Sequence, residues 1–288
     1  KEVGDLTRIV CAALEMRQLK AEPLTERLKA TLSWRERAQL RRRTDFRFDN
    51  GGITIAHKGG FAVNPANLLR LFQLSEEYDA EFHPEALRLV RQSLRLVDDK
   101  LRADPAANSI FLELLTAKSG VERVLRNMNE AGVLGRFIPD FGRVVAMMQF
   151  NMYHHFTVDE HLIRSVGILN EIEAGRLEDD HPLATEIIHQ VQNRRALYVA
   201  QFLHDIGKGR AEDHSIVGAR VARALGPRLG LGKAETETVA WLIENHLVMS
   251  TYAQSRDLND PKSRAALAMN DARRFRVLEE LNVQPSVG

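Results

Sequence analysis

The sequence is poor in cysteine, in long apolar runs and in net charge. Cys11 is the only cysteine among 288 residues, so no disulfide can form within the chain, which fits a reducing compartment. No apolar stretch approaches the roughly 18 to 20 residues that span a bilayer. The first ten residues lack the charged and then apolar pattern of a signal peptide. We therefore expect a cytoplasmic protein without a membrane partner.

The balance of charge gives no sign of a nucleic-acid partner. Forty basic residues stand against 39 acidic ones, which leaves a net charge of +1, whereas nucleic-acid-binding domains usually carry a clear basic excess. The dense basic run between Arg35 and Arg43 could contact phosphates. No aromatic residues interleave with it, however, so a solvated helix face is the favoured interpretation.

Helical periodicity dominates the chain. Apolar residues in "DLTRIVCAALEM" and "NPANLLRLFQLSEEY" follow the three-and-four spacing of amphipathic helices, and Asn64 is the predicted N-cap of the second. In "FRFDNGGITIA", alternating phenylalanines and isoleucines flank Asn-Gly-Gly, which predicts a β-hairpin near residues 46–55. Glycine and proline at positions 132, 135, 139 and 142 predict short helices with tight turns. The predicted fold class is all-α with one small β-hairpin.

Four histidines occupy comparable places on successive predicted helices, each at an apolar stripe, and one of them precedes an aspartate. A single histidine of this kind is more often a satisfied core residue, and an unpaired carboxylate is costly to bury. Four such histidines together favour a divalent metal, because imidazole nitrogen and carboxylate oxygen are ligands for Mn, Fe, Ni and Zn. The predicted metal ligands are His161, His204, Asp205, His214 and His246.

The remaining histidines carry weaker signals. His154 and His155 could line the rim of the site, although a solvated helix start is the favoured interpretation. The other four lack any such context and are expected on the surface. They are His57, His83, His181 and His189.

This order of histidines around a His-Asp pair resembles the HD superfamily of metal-dependent phosphohydrolases, which are helical bundles. The motifs "TVDEHLIRSV", "FLHDIGKGRAEDHSIVGARVA" and "TETVAWLIENHLVMS" resemble the HD domain of one family, the bifunctional PII uridylyltransferase/uridylyl-removing enzymes of bacterial nitrogen regulation. "NPANLLRLF" and "MNEAGVLGRFIPDFG" resemble its upstream region. The resemblance implies a helical domain over residues 1–150, an HD domain over 151–262 and a tail or linker over 263–288.

The sequence departs from the family pattern in three places. It lacks the paired-aspartate motif of the nucleotidyltransferase domain, so we expect no transferase site. It also lacks the two ACT modules, through which family members sense glutamine. After "DLNDPK" the family's late aspartate ligand is missing, and the tail looks discontinuous with what precedes it. Asp257 is the candidate additional ligand, and Asp271 is the other carboxylate that remains.

The resemblance implies hydrolysis of the phosphodiester that joins uridylate to a tyrosine of the PII protein. Manganese or magnesium is the expected cofactor, with iron, nickel and zinc left open. Asp205 and Lys208 are the predicted catalytic residues, and Asp205 is placed to bridge two ions. Lys208 and Arg210 are predicted to bind phosphate, since a cation there offsets charge in the transition state; a solvated lysine at a helix end is the alternative for Lys208.

Two other functions remain open from the sequence. One is a generic HD phosphohydrolase that acts on free nucleotides. The other is a catalytically silent scaffold in which a metal only staples the helices and a regulatory signal passes through the bundle. In a structural site of that kind the protein ligands saturate the metal, whereas a catalytic site keeps one position open.

Overall fold

The computed structural model describes residues 45–49, 52–57, 59–148, 156–248 and 251. The chain divides into two compact units, Lys1–Val191 and Gln192–Gly288. The predicted domain boundary at residue 150 stays a prediction. Several sequence features lie outside the described residues, namely Cys11, the basic run 35–43, His154, His155, Asp257 and Asp271.

The first unit contains a small sheet. Strands β1 (Phe46–Asp49) and β2 (Gly52–Ile55) pair antiparallel, with Phe46 opposite Ile55 and Phe48 opposite Ile53. The predicted pairing of these two segments is thus confirmed. A third strand, β3 (Glu81–Phe82), pairs parallel with β2. The hairpin therefore belongs to a three-stranded sheet in a mostly helical protein, which confirms the predicted fold class.

Among the described residues of the first unit the helices are mostly short, and aromatic side chains fill the core between them. Phe61, Phe72, Phe111, Phe137 and Phe141 are fully buried. One 3₁₀ turn covers Leu94–Leu96. The α-helices are α1 (Gly60–Val63), α2 (Asn67–Glu77), α3 (Pro84–Gln92), α4 (Asp99–Ala103), α5 (Pro105–Leu115), α6 (Val121–Glu130), α7 (Leu134–Phe137), α8 (Pro139–Val144), α9 (Val158–Glu173) and α10 (Pro182–Ile188).

Local capping decides where several of these helices begin. The prediction that Asn64 caps α2 was wrong, because Asn64 ends α1 and a turn through Pro65 delays the start of α2 to Asn67. His83, expected on the surface, is half-buried and accepts a hydrogen bond from the Glu85 amide at the start of α3. Side-chain caps of this kind stabilise a helix by about 1 kcal/mol.

Two glycines set the spacing between α7 and α8. A Cβ atom on Gly142 would lie 2.4 Å from the Gly135 carbonyl oxygen. A larger residue at position 142 would therefore push the two helices apart. Gly132, with φ of +77°, follows α6 in the left-handed region that favours glycine. The predicted tight turns are present, but Gly135 and Gly142 act inside helices rather than as stops.

The described part of the second unit, up to residue 248, contains three helices, α11 (Arg194–Leu203), α12 (His214–Arg228) and α13 (Lys233–Glu244). Glycines bring α12 and α13 together, since a Cβ on Gly218 would lie 2.7 Å from Ile243 Cγ2. The apolar faces meet in a core that excludes water. Its fully buried members include Tyr198, Phe202, Leu203, Val239 and Ile243. Within the described ranges no helix is both long and apolar enough to cross a membrane.

Glu235 ties the first turn of α13 to the start of α11. Its carboxylate accepts hydrogen bonds from the Gly232 amide at 3.0 Å and from Arg195 at 2.8 and 2.9 Å, with Asn193 at 3.2 Å. Burial acts to raise the pKa of this carboxyl, but these donors outweigh burial and lower it below its ordinary value. The folded chain therefore favours the charged form of Glu235.

We predict that Glu235→Gln lowers the free energy of unfolding at pH 7 by about 1 kcal/mol, the usual worth of a cap. Because the folded-state pKa is depressed, this stabilisation exists above the unfolded value of about 4.3 and disappears as pH falls through the folded value. Urea unfolding at several pH values tests this. Glu244→Gln, an exposed control on the same helix, should change little. A deficit in Glu235→Gln that persists undiminished at pH 3 would refute the mechanism.

Candidate metal centre

The His-Asp pair lies where α11 ends. His204 is the C-cap residue of this helix, and its Nδ1 atom lies 2.8 Å from the Gln201 carbonyl oxygen. Asp205 follows and is only 3% exposed. The apolar helix before the pair therefore carries a carboxylate into the core, as its sequence predicted.

Three imidazoles surround this carboxylate, and all present the same ring atom. The Nε2 atoms of His204, His214 and His246 lie 3.5, 3.5 and 3.6 Å from oxygens of Asp205. The ring of His246 makes edge contacts with the other two rings, with centroids 5.2 and 5.3 Å apart. The structure thus brings together four of the five predicted ligands, from the ends of α11 and α13 and the start of α12.

Backbone carbonyls fix which nitrogen of two of these rings faces the carboxylate. Nδ1 of His246 lies 2.7 Å from the Ile243 carbonyl oxygen, just as Nδ1 of His204 faces Gln201. A carbonyl can only accept, so Nδ1 of each ring carries a hydrogen, and the neutral form of the ring has its lone pair on Nε2. Nε2 of a neutral ring can therefore bind a metal ion, whereas Nε2 of a protonated ring donates toward Asp205.

Lys208 supplies one cation to the cluster. Its Nζ atom lies 2.7 Å from Oδ2 of Asp205, one turn further along the chain. The lysine is therefore not a solvated residue at a helix end: only 21% of its side chain is exposed. This pairing partly offsets the cost of burying the Asp205 charge.

The titration behaviour of the cluster follows from its geometry. Burial acts to raise the pKa of Asp205, but contacts with His246, His204 and Lys208 outweigh it and hold this pKa well below its ordinary value. Burial lowers the pKa of His214 despite the neighbouring carboxylate. For His246 burial also acts downward, yet the contact with Asp205 and the Ile243 carbonyl raise its pKa above the ordinary value. Asp205 is therefore charged at neutral pH.

These donors fit a divalent metal ion. One ligand atom from each of Asp205, His214 and His246 lies within 4.8 Å of the other two. Two ligand atoms that are each about 2.1 Å from a tetrahedral metal lie about 3.4 Å apart, which is close to the observed nitrogen–oxygen separations. An imidazole whose Nδ1–H is held by a carbonyl is the usual form of a histidine ligand.

The turn between the His-Asp pair and α12 depends on a glycine whose role the sequence did not reveal. A Cβ atom on Gly207 would lie 2.2 Å from the carbonyl oxygen of His214. Gly207 therefore lets the turn pack directly on the first residue of α12, beside Asp205. Asp213 caps α12 by accepting from the Ser215 and Ile216 amides at 2.9 and 3.2 Å. Both features hold the His214 backbone in place.

The other predicted site residues lie elsewhere or are not described. His161 lies in the first turn of α9, half-buried, in the first unit, so its place among the ligands stays a prediction. Arg210 is half-buried in the turn before α12. Asp257 lies outside the described part of the chain, and its role also stays a prediction.

The acidic neighbours of these histidines have structural partners. Asp159 is buried and accepts from Asn129 at 2.8 Å and from the Ala146 amide at 3.0 Å, which anchors the start of α9. Glu160 pairs with Arg126. Glu212 pairs with Arg220 at 2.6 Å. Asp213 is the N-cap residue of α12.

Comparison with known protein families agrees with this site. Residues 158–275 match the model described as "HD domain", and residues 46–137 match "Uridylyltransferase GlnD third domain". The chain is therefore a member of the HD class, the metal-dependent phosphohydrolases. The two matches in this order place it in the uridylyltransferase GlnD family, as the region that contains the third domain and the HD domain of PII uridylyltransferase/uridylyl-removing enzymes.

We predict that the chain binds Mn²⁺ and that His214→Ala or His246→Ala weakens binding at least about 100-fold, more than the loss of an outer hydrogen-bond partner typically costs. Calorimetric titration of the metal-free protein measures this. Bound metal should also raise the melting temperature, because the ion binds only the folded state. His181→Ala removes an exposed histidine and should bind as wild type. Equal affinity in all four proteins would show that the cluster is not a metal site.

Proposed function

We propose that the chain hydrolyses the phosphodiester bond between uridylate and a tyrosine of the uridylylated PII signal protein. The observation that carries the proposal is the charged, buried Asp205 ringed by three Nε2 atoms, in a chain that joins an HD domain to a GlnD third domain. The HD class supplies the hydrolytic chemistry, and the GlnD match supplies the substrate. Such an enzyme works in the cytoplasm, where its protein substrate is found.

The proposed ligands are the four clustered residues together with His161 from the sequence prediction, and Mn²⁺ or Mg²⁺ is the proposed ion. A divalent ion in such a site lowers the pKa of a coordinated water toward neutrality and so supplies a nucleophile. Asp205 and the imidazoles hold their lone pairs toward one point, because the backbone fixes two of the rings. A preorganised site of this kind costs little reorganisation during the reaction.

Lys208 is the proposed phosphate-binding and charge-stabilising residue. Its Nζ atom lies 2.7 Å from Oδ2 of Asp205, so the ammonium lies beside a proposed metal ligand. A divalent ion held by Asp205 would take over part of this charge compensation, and the ammonium would then be placed to contact a non-bridging phosphate oxygen and offset charge that develops there. Arg210, two residues further along the same turn, is the proposed second contact for the phosphate.

The reaction balances without a further reactant. The oxygen of water bonds to phosphorus while the bond from phosphorus to the tyrosine oxygen breaks. Tyrosine is the leaving group: its oxygen takes a proton that comes from the water, and the water oxygen stays on the released uridylate. No transferase chemistry and no glutamine response are proposed for the residues of this chain.

The direct test is to incubate the chain with uridylylated PII and Mn²⁺ and to follow the mass of PII. We expect loss of one uridylate per modified tyrosine and release of free uridylate. The variant His204→Ala/Asp205→Ala should lose this activity while its helices stay folded by circular dichroism, because it removes the buried charge together with the ligands. Release of phosphate from free nucleotides, without action on PII, would favour a generic HD phosphohydrolase. Metal binding with no hydrolysis of either substrate would favour a silent scaffold.

A second variant separates charge stabilisation from metal binding. Lys208→Ala should slow uridylate release at least about tenfold, a modest part of what one preorganised donor contributes, while Mn²⁺ affinity stays the same or rises, because the ammonium no longer competes for Asp205. Turnover and calorimetry on the same preparation measure both effects. Lys233→Ala, at the start of α13, is the matched control. Loss of metal from Lys208→Ala, as complete as from the double variant, would contradict this division of roles.

A further inference from the structure

A cleft in the first unit, away from the histidine cluster in sequence, is lined by arginines. It has a volume of about 840 Å³ and lies between the end of α3, the 3₁₀ turn and the α7–α8 pair. Arg91 lines it from α3, Arg95 from the 3₁₀ turn and Arg136 from α7, and Gly132, Gly135 and Gly142 also line it. This volume is within the range of about 300 to 1,000 Å³ that is typical of small-molecule sites.

The three arginines have no acidic counterpart in the described part of the chain. Among the described residues, the side chains of Arg91, Arg95 and Arg136 form no ion pair or hydrogen bond, and no acidic residue lines the cleft. Neighbouring arginines of the same unit behave differently. Arg88 pairs with Glu85 at 2.6 Å, and Arg102 pairs with Asp99 at 2.5 Å. The cleft therefore concentrates three positive charges that the described residues do not neutralise.

The walls of the cleft suit an anion of some size. Because Gly135 and Gly142 pack backbone against backbone, the α7–α8 side of the cleft carries no bulky side chain at these positions. Arg91 is half-buried, whereas Arg95 and Arg136 are exposed. A planar guanidinium group can donate two parallel hydrogen bonds to two phosphate oxygens. Three such groups match the charge of a di- or triphosphate better than that of a single carboxylate.

We propose that this cleft binds a di- or triphosphate group, carried by a nucleotide or present as free pyrophosphate. The inference does not depend on the proposed hydrolase function, since no residue of the cleft belongs to the metal centre. Its three arginines lie within residues 46–137, the range that matches the GlnD third domain.

The test is a calorimetric titration of the chain with pyrophosphate, UTP and ATP in buffer that contains EDTA, which prevents binding through a metal ion. The protein should carry His204→Ala/Asp205→Ala as well, so that the metal centre cannot contribute. We expect binding that weakens as salt rises. Arg91→Gln/Arg95→Gln/Arg136→Gln should weaken it by at least about tenfold, as expected when charged hydrogen bonds are lost.

Arg143→Gln is the matched control, because Arg143 is exposed on α8 but does not line the cleft. It should bind as the parent does. Tighter binding of a nucleotide than of pyrophosphate would identify the nucleotide as the source of the phosphates, and equal binding would identify the phosphates alone. The proposal is overturned if none of the three ligands binds, or if the triple variant binds them as tightly as the parent does.

Discussion

The buried charge of Asp205 is the constraint on which the second unit depends. A carboxylate that is 3% exposed costs several kcal/mol to desolvate unless cations and hydrogen bonds compensate it. Three imidazoles and the ammonium of Lys208 surround the two oxygens of this carboxylate. Two of the imidazoles direct Nε2 at the carboxylate, where either a proton on the ring or a bound cation compensates its charge. A cluster that could hold a divalent ion is therefore a consequence of packing and ring orientation.

Helix ends provide the rigidity that such a site requires. The carbonyls of Gln201 and Ile243, near the ends of α11 and α13, hold the rings of His204 and His246. These groups would otherwise need solvent, because the last carbonyls of a helix lack partners within it. The same interactions thus satisfy the helix ends and orient the ligands. Tight contact at Gly207 places the start of α12 against them.

Features set by local sequence could be predicted, and features set by distant contacts could not. The hairpin could be predicted because apolar residues alternate on both sides of an Asn-Gly pair. The histidines at the ends of α11 and α13 and at the start of α12 could be predicted as ligands because each lies on an apolar helical stripe. Strand β3 was missed because two residues carry no periodic signal. The misplaced cap at Asn64 reflects a competing turn through Pro65. The Lys208–Asp205 pair and the close contact of Gly207 depend on how the turn folds back, which spacing alone does not show.

Anomalous diffraction from crystals grown with Mn²⁺ tests the central claim most directly. The account predicts a single strong peak or a close pair of peaks about 2.0 to 2.3 Å from an oxygen of Asp205 and from Nε2 of His214 and His246. Lys208 Nζ should then have moved away from its 2.7 Å contact with Asp205. A cluster that keeps the lysine contact and shows no peak at saturating Mn²⁺, or a peak held by other residues, would contradict the account.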